Sequence, residues 1–113
     1  MSYQTATELF KDLENRFEAG AAETLEAVFQ FHITEIGGDQ PADWIVRVDN
    51  GKCSVEPGQA DDPSVTLTIA EPVWLELGRG EKGALSAFMS GQIKAGGNVM
   101  LAQKLGPVFG FNL

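Results

Sequence analysis

The sequence predicts an α+β domain. Three observations carry that prediction. A segment of helical period opens the chain, a series of alternating apolar and polar segments fills residues 27–70, and the period returns to helical after residue 71. One side of each alternation is polar, so one face of the sheet is expected in solvent with helices covering the other. No internal repeat, linker or composition break is visible, and residues 1–113 read as one domain.

Residues 5–18 are predicted as the first helix. Thr5 and Glu8 fit a capping box, Ala6, Leu9, Phe10, Leu13 and Phe17 share a face, and Gly20 is the expected stop. Residues 27–36 alternate, with Phe29, Phe31 and Ile33 on one side and Gln30, His32 and Thr34 on the other. Residues 43–49 alternate again, with Trp44, Val46 and Val48 inward. Asn50-Gly51 then signals a tight hairpin, because both positions need positive φ. Lys52 to Glu56 is the return strand, Pro57 to Pro63 a polar loop, and Ser64 to Ala70 a further strand. Glu71 and Pro72 suit a first helical turn, and Gly78 is read as that helix's stop. A helix over 82–90, a short strand over 92–95, a glycine turn and a final helix over 99–105 capped by Asn98 complete the reading.

Charge divides the chain. All 16 acids and five of the eight bases lie in residues 1–81, whereas residues 82–113 carry three lysines (Lys82, Lys94, Lys104) and no acid. The net charge of -8 repels phosphate backbones and argues against nucleic-acid binding. Cys53 and His32, each the sole residue of its type, cannot form an internal disulfide or a structural zinc site. No apolar run reaches the ~18 residues of a membrane span, and the amino terminus lacks a basic signal-like region. The expected location is cytoplasmic.

Few motifs carry chemistry. Gly78, Gly80 and Gly83 match a dinucleotide-binding spacing, but a helix rather than a strand precedes them and no acid follows Glu81; a glycine-rich turn is the plainer reading. Asp61-Asp62 reads as a solvated turn rather than an acid/base pair. His32 is read as a surface or rim side chain, with no visible orienting acid. Cys53 is read as a small buried hydrophobe, against the alternative of a thiol activated by Lys52. No catalytic set, metal or cofactor is implied. The surplus of large apolar residues in 71–111 fits either the helical half of a core or the wall of an apolar cavity.

The order of motifs resembles the sterol carrier protein type two domain family. A tryptophan-bearing strand (Trp44 to Val48) leads into Asp49-Asn50-Gly51-Lys52, then Val65-Thr66-Leu67-Thr68-Ile69 and Trp74. Leu77-Gly78-Arg79-Gly80, Ala87-Phe88-Met89-Ser90-Gly91-Gln92-Ile93-Lys94, Gly97-Asn98 and Leu101-Ala102-Gln103-Lys104-Leu105 follow in the family's order and spacing. Gln92 and Asn98 stand where the family usually has lysine and aspartate, and Phe111-Asn112-Leu113 differs from the peroxisomal address of some members.

The resemblance implies a five-stranded, mostly antiparallel sheet with helices on one face, enclosing a hydrophobic tunnel for fatty acyl chains or related lipids. It implies a non-enzymatic binding or transfer module with a lipid or fatty acyl partner. The candidate lining residues are Phe29, Phe31, Trp44, Trp74, Leu77, Phe88, Met89, Leu101, Leu105 and Phe109. A ligand-free interaction module, a homodimer, or an accessory partner of a lipid-metabolising enzyme are the alternatives. Contact with a membrane surface is a further expectation. Residues 107–113 are expected either as a mobile lid with Lys94 or Lys104 beside the opening, or as docked core.

Overall fold

The first helix, α1 (Ala6–Arg16), is set by the cap predicted for it. Thr5 Oγ1 accepts the Glu8 N–H at 3.2 Å, while the Glu8 carboxylate accepts the Gln4 N–H at 3.0 Å, one residue further back than a standard capping box. In this computed structural model, which describes residues 3–112, α1 ends at Arg16 rather than running on to Gly20. Phe17 turns into extended backbone and packs on Phe109. Met1, Ser2 and Leu113, including the ends of the predicted amino-terminal and tail segments, lie outside the described residues.

Strands β1 (Ala27–Thr34), β2 (Asp43–Asp49), β3 (Lys52–Pro57), β4 (Val65–Ala70) and β5 (Ile93–Gly97) form one sheet in the order β3-β2-β1-β4-β5. The β1–β4 pair is parallel and the other three are antiparallel, so the sheet is mixed around a single parallel ladder. Asn50 and Gly51 both adopt the positive φ that the β2–β3 hairpin demands. Phe29, Phe31, Ile33, Val46, Val48, Val65, Leu67 and Ile69 are buried on the inner face, where the period-two pattern placed them. His32, Arg47 and Lys94 point to the outer, solvated side.

Helices α2 (Glu71–Arg79), α3 (Ala84–Met89) and α4 (Leu105–Phe109) follow the strands, with a 3-10 helix at Val99–Lys104 between β5 and α4. Gly78, read from sequence as a helix stop, lies inside α2; Gly80, at φ 79°, ends it. Gly78 is there for packing. A Cβ at that position would come within 2.5 Å of Leu9 Cδ2, so any larger residue would force the buried Leu9 side chain to shift. Gly96 and Gly97 belong to β5 rather than to a turn. A Cβ on Gly97 would meet the Ser64 carbonyl at 2.9 Å. The segment after Asn98 coils as a 3-10 helix instead of the predicted α-helix, and Asn98 makes no side-chain cap bond.

The core forms where α1 meets the sheet. The Phe10 ring stacks on Trp44 at 4.8 Å and on Trp74 at 4.5 Å, and meets Phe31 edge-on at 5.3 Å. Both indole N–H groups are satisfied by backbone carbonyls, Trp44 by Pro41 and Trp74 by Ala6.

The carboxyl-terminal segment is docked, which overturns the expectation of a mobile lid. Val108 and Phe109 are fully buried and Phe111 is 9% exposed. Pro107 sits in the first turn of α4, where its missing N–H costs nothing. The Arg16 guanidinium donates to the carbonyls of Phe109 (2.9 Å), Gly110 (3.2 Å) and Gly78 (2.8 Å) and lies over the Phe111 ring.

Glu71 joins separate parts of the fold. Its carboxylate accepts the Ala6 N–H at 2.8 Å, the Gly37 N–H at 3.1 Å and the Gln40 amide at 3.0 Å. Burial pushes its pKa up, but these donors outweigh burial and hold it below the usual 4.5.

A lowered native pKa contributes stability that is complete above the unfolded value and lost as pH falls through the folded one. Glu71→Gln is therefore expected to flatten the pH dependence of denaturant stability below pH 4.5, while the parent chain loses stability there. Deleting residues 108–113 is expected to abolish the cooperative unfolding transition followed by circular dichroism, since it removes Val108, Phe109 and Phe111 from the core. A truncated chain that still melts cooperatively would restore the lid.

Candidate functional site

The ten residues nominated from sequence fall into two groups. Phe29, Phe31, Trp44, Trp74, Leu77 and Phe109 are sealed in the core, none more than 4% exposed. Phe88 and Met89 on α3 are exposed, and Leu101 in the 3-10 helix and Leu105 at the start of α4 are half-buried. Three of the second group lie on α3 and the 3-10 helix, which pack on β5, the edge strand, and Leu105 begins α4, which packs on the 3-10 helix and α1. Helix α3 packs on β5, with Ala87 buried and its carbonyl accepting the Gln92 N–H at 2.8 Å. The 3-10 helix packs on β4 and β5 from the other end of the strand. It buries none of its own side chains, although Leu101 and Ala102 lean on the core. A six-residue 3-10 run is long for this weakly bonded geometry. This corner is therefore apolar, lightly held and incompletely covered.

Sequence reasoning left Leu85, Val99 and Met100 out of the nominated set, yet they are exposed beside the same edge. Their apolar character was the available signal, but it did not separate a core side chain from an uncovered one.

The outer face of the sheet holds two open polar depressions. One, of about 320 Å³, is lined by Gln30, His32, Asp43, Gln59, Ala60, Thr66 and Thr68. The other, of about 340 Å³, lies between Thr34, Glu35 and Val73 on one side and Gln92 and Lys94 on the other. In the first, His32 Nδ1 and Asp43 Oδ1 are 2.7 Å apart, and Gln59 donates to Asp43 Oδ2 at 3.1 Å. The His32 hydrogen bond, chiefly, holds the Asp43 carboxyl below its usual range. Sequence reading found no orienting acid for His32. Asp43 faces it across the β1–β2 ladder, a pairing that only the strand register reveals. The Gln30 amide is buried here and pins residues 58–60, donating to the Gly58 carbonyl and accepting the Ala60 N–H.

The remaining motifs take their plainer readings. Gly78 lies within α2, Gly80 ends it and Gly83 precedes α3, so the three form no strand-to-helix phosphate loop. Asp61 and Asp62 are exposed in the β3–β4 loop. Cys53 is half-buried on the inner face; burial first, and Glu14 second, push its thiol up to about 11, the opposite of activation. Among the described residues, no cluster of three or more His, Cys, Asp or Glu side chains is placed to hold a metal. Among them too, no helix is long and apolar enough to cross a membrane.

The architecture defines a class first: an α+β domain whose five-stranded sheet is solvated on one face and covered by short helices on the other. Residues 8–110 match the model of the SCP-2 sterol transfer family, and the chain belongs to that family. It is 35% identical over 100 residues to rat (Rattus norvegicus) sterol carrier protein 2, a match covering 86% of this chain and 18% of the rat protein. It is also 35% identical over 101 residues to the mouse (Mus musculus) peroxisomal multifunctional enzyme type 2, covering 86% of this chain and 14% of that enzyme. The chain thus spans less than a fifth of these curated relatives. Among solved structures, the palmitated sterol carrier protein 2 like 2 of Aedes aegypti superposes with a TM-score of 0.74 at 24% identity, covering 96% of this chain and 97% of that one.

Cys53 is expected to react slowly with a thiol-specific disulfide reagent at neutral pH, and faster only as pH approaches 11 or after denaturation. Rapid labelling of the native protein at pH 7 would mean that the thiol is not held in its buried position.

Proposed function

We propose that residues 1–113 form a lipid-binding unit that holds and transfers a long-chain lipid or fatty acyl ligand without chemical change. Family membership and the palmitated relative support a lipid of this kind. The observation that carries the reading is the split among the nominated residues. Six are buried in the core, while Phe88, Met89 and Leu101 lie on the short helices that pack on the edge strand β5, and Leu105 follows the 3-10 helix directly.

On this reading the acyl chain enters over β5, between α3 and the 3-10 helix, touching Phe88, Met89, Leu101 and Leu105. The 3-10 helix shifts outward to make room for it. Methionine and phenylalanine suit such a wall, because a flexible thioether adapts to ligands of different shape. Burial of about a dozen methylenes yields roughly 10 kcal/mol before the costs of association. Lys104, exposed at the last turn of the 3-10 helix, is the cation for a fatty-acid carboxylate.

Tryptophan fluorescence titration tests the reading. Trp74 packs on Phe111 and Trp44 on Phe10, so a shift in the helical cover is expected to alter their emission. Palmitate is expected to change the signal saturably and butyrate to leave it unchanged. Equal responses to the two would indicate a polar surface effect and overturn the reading. Lys104→Glu is expected to weaken palmitate more than its methyl ester; equal weakening would remove the lysine from the site.

A further inference from the structure

The sequence left His32 with neither an acid to orient it nor a hydroxyl to act on, and the strand register supplies both. Asp43 of β2 stands opposite His32 of β1, Thr68 of β4 stands opposite His32 on its other side, and Lys94 of β5 stands opposite Thr68. Leu67 and Ile69 are buried on the inner face, so Thr68 between them belongs to the outer one, with His32 and Lys94. Four adjacent strands thus carry, in one row, a carboxylate, an imidazole, a hydroxyl and an ammonium. Neighbouring strands lie about 4.8 Å apart, so each side chain has the next as its immediate neighbour.

The order of the row has chemical content. An ionised Asp43 can only accept hydrogen bonds, so His32 Nδ1, 2.7 Å from it, carries the proton. That fixes the tautomer of the neutral ring and leaves Nε2, on the far side of the ring, with its lone pair free. Gln59 donates to the other Asp43 oxygen at 3.1 Å, so the carboxylate is itself held in place. The His32 side chain is 49% exposed and open to a molecule arriving from solvent. Thr68 lines both outer-face depressions, the one that holds His32 and the one that holds Lys94. A small molecule over Thr68 therefore meets an imidazole on one side and an ammonium on the other. Glu35 lies on the opposite side of the second depression from Lys94, and among the described residues Lys94 takes part in no ion pair.

We infer that Asp43, His32, Thr68 and Lys94 form an acyl-transfer site on the outer face of the sheet that hydrolyses small activated esters and thioesters. Thr68 Oγ1 adds to the acyl carbonyl carbon while His32 Nε2 takes the hydroxyl proton. The Lys94 ammonium stabilises the oxyanion that forms. The bond from the carbonyl carbon to the leaving oxygen or sulfur then breaks, and the leaving group departs with the proton from His32. Water adds to the acyl-threonine in the same way, giving its proton to His32, which returns it to Thr68 Oγ1 as the carboxylic acid leaves. Water is the sole co-reactant and nothing is oxidised or reduced. Asp43 touches no reacting atom and is a positioning residue. Open depressions of about 320 and 340 Å³ suit a short acyl group. The net charge of -8 favours neutral substrates over anionic ones. The site lies on the face of the sheet turned away from the helices, so the carried lipid has no part in the reaction and the carrier reading stands or falls separately.

Hydrolysis of p-nitrophenyl acetate and of the neutral thioester N,S-diacetylcysteamine by the full chain tests it, with peptide mapping after an acid quench. Saturable turnover of both probes, faster than free imidazole at the same concentration, is expected together with an acetyl group on Thr68. Thr68→Val is expected to abolish turnover and adduct, and Thr68→Ser to keep both. His32→Gln and Lys94→Met are each expected to lower kcat about a hundredfold. Asp43→Asn is expected to lower kcat at least about tenfold with KM unchanged, because the ring loses its fixed tautomer, and Asp43→Glu to recover part of that loss. Thr68→Val is expected to keep the parent circular dichroism and palmitate titration. Turnover no faster than free imidazole, acetylation confined to lysines, or turnover that survives Thr68→Val would overturn the site, and so would a Thr68→Ser chain that folds and is inactive. Each of these results leaves lipid carriage untouched, whereas acyl transfer by a parent chain that ignores palmitate would support this site and remove the carrier reading.

Discussion

A single ring decides which part of the interior is closed. Phe10 lies between the indoles of Trp44 and Trp74, each less than 5 Å from it, with Phe31 edge-on. Those side chains come from α1, β2, α2 and β1, so one stack holds the amino-terminal helix, two strands and the helix after the sheet in fixed relation. Buried aromatics contribute through area and through preferred ring geometry, and both operate here. The consequence for function is spatial. On the proposed reading the acyl path lies away from this stack, at the opposite edge of the sheet, β5.

Polar contacts then close the remaining sides. Arg16 reaches the carbonyl ends of α2 and α4, where the helix dipoles favour a cation, and covers Phe111 with its guanidinium plane. Glu71 does the complementary work at the start of α1, where free N–H groups favour an anion. Neither residue belongs to a motif that stands out in the sequence. Each ties together segments more than 60 residues apart.

The two faces of the sheet divide the chemistry. Its outer face is hydrophilic, crossed by the His32–Asp43 pair and the buried Gln30 amide, which hold the 58–60 loop in place. Its inner face is apolar and has two kinds of cover: tightly interlocked under α1 and α2, and thin under α3 and the 3-10 helix. The thin cover coincides with the cationic third of the chain. On the proposed reading, the tightly packed side is the frame and the thinly covered edge is where the lipid enters.

The α+β class, the approximate strand positions, the faces of β1, β2 and β4 and the Asn50-Gly51 hairpin were legible in the sequence, because periodicity and turn chemistry are local properties. The family, too, was legible from motif order. Local pattern did not reveal depth. Phe109 and Phe88 look alike in sequence, yet one is sealed and the other is 46% exposed, because what packs over a side chain comes from distant segments. For the same reason Gly78 read as a helix stop until Leu9 was found against it, and His32 lacked an acid until the register set Asp43 opposite. The tail beginning at Pro107 carried no local sign of whether it was lid or core; the Arg16 bonds to its backbone and the burial of Val108, Phe109 and Phe111 decided that. Sequence determined which groups face inward, and only tertiary packing determined which of them are closed off from solvent.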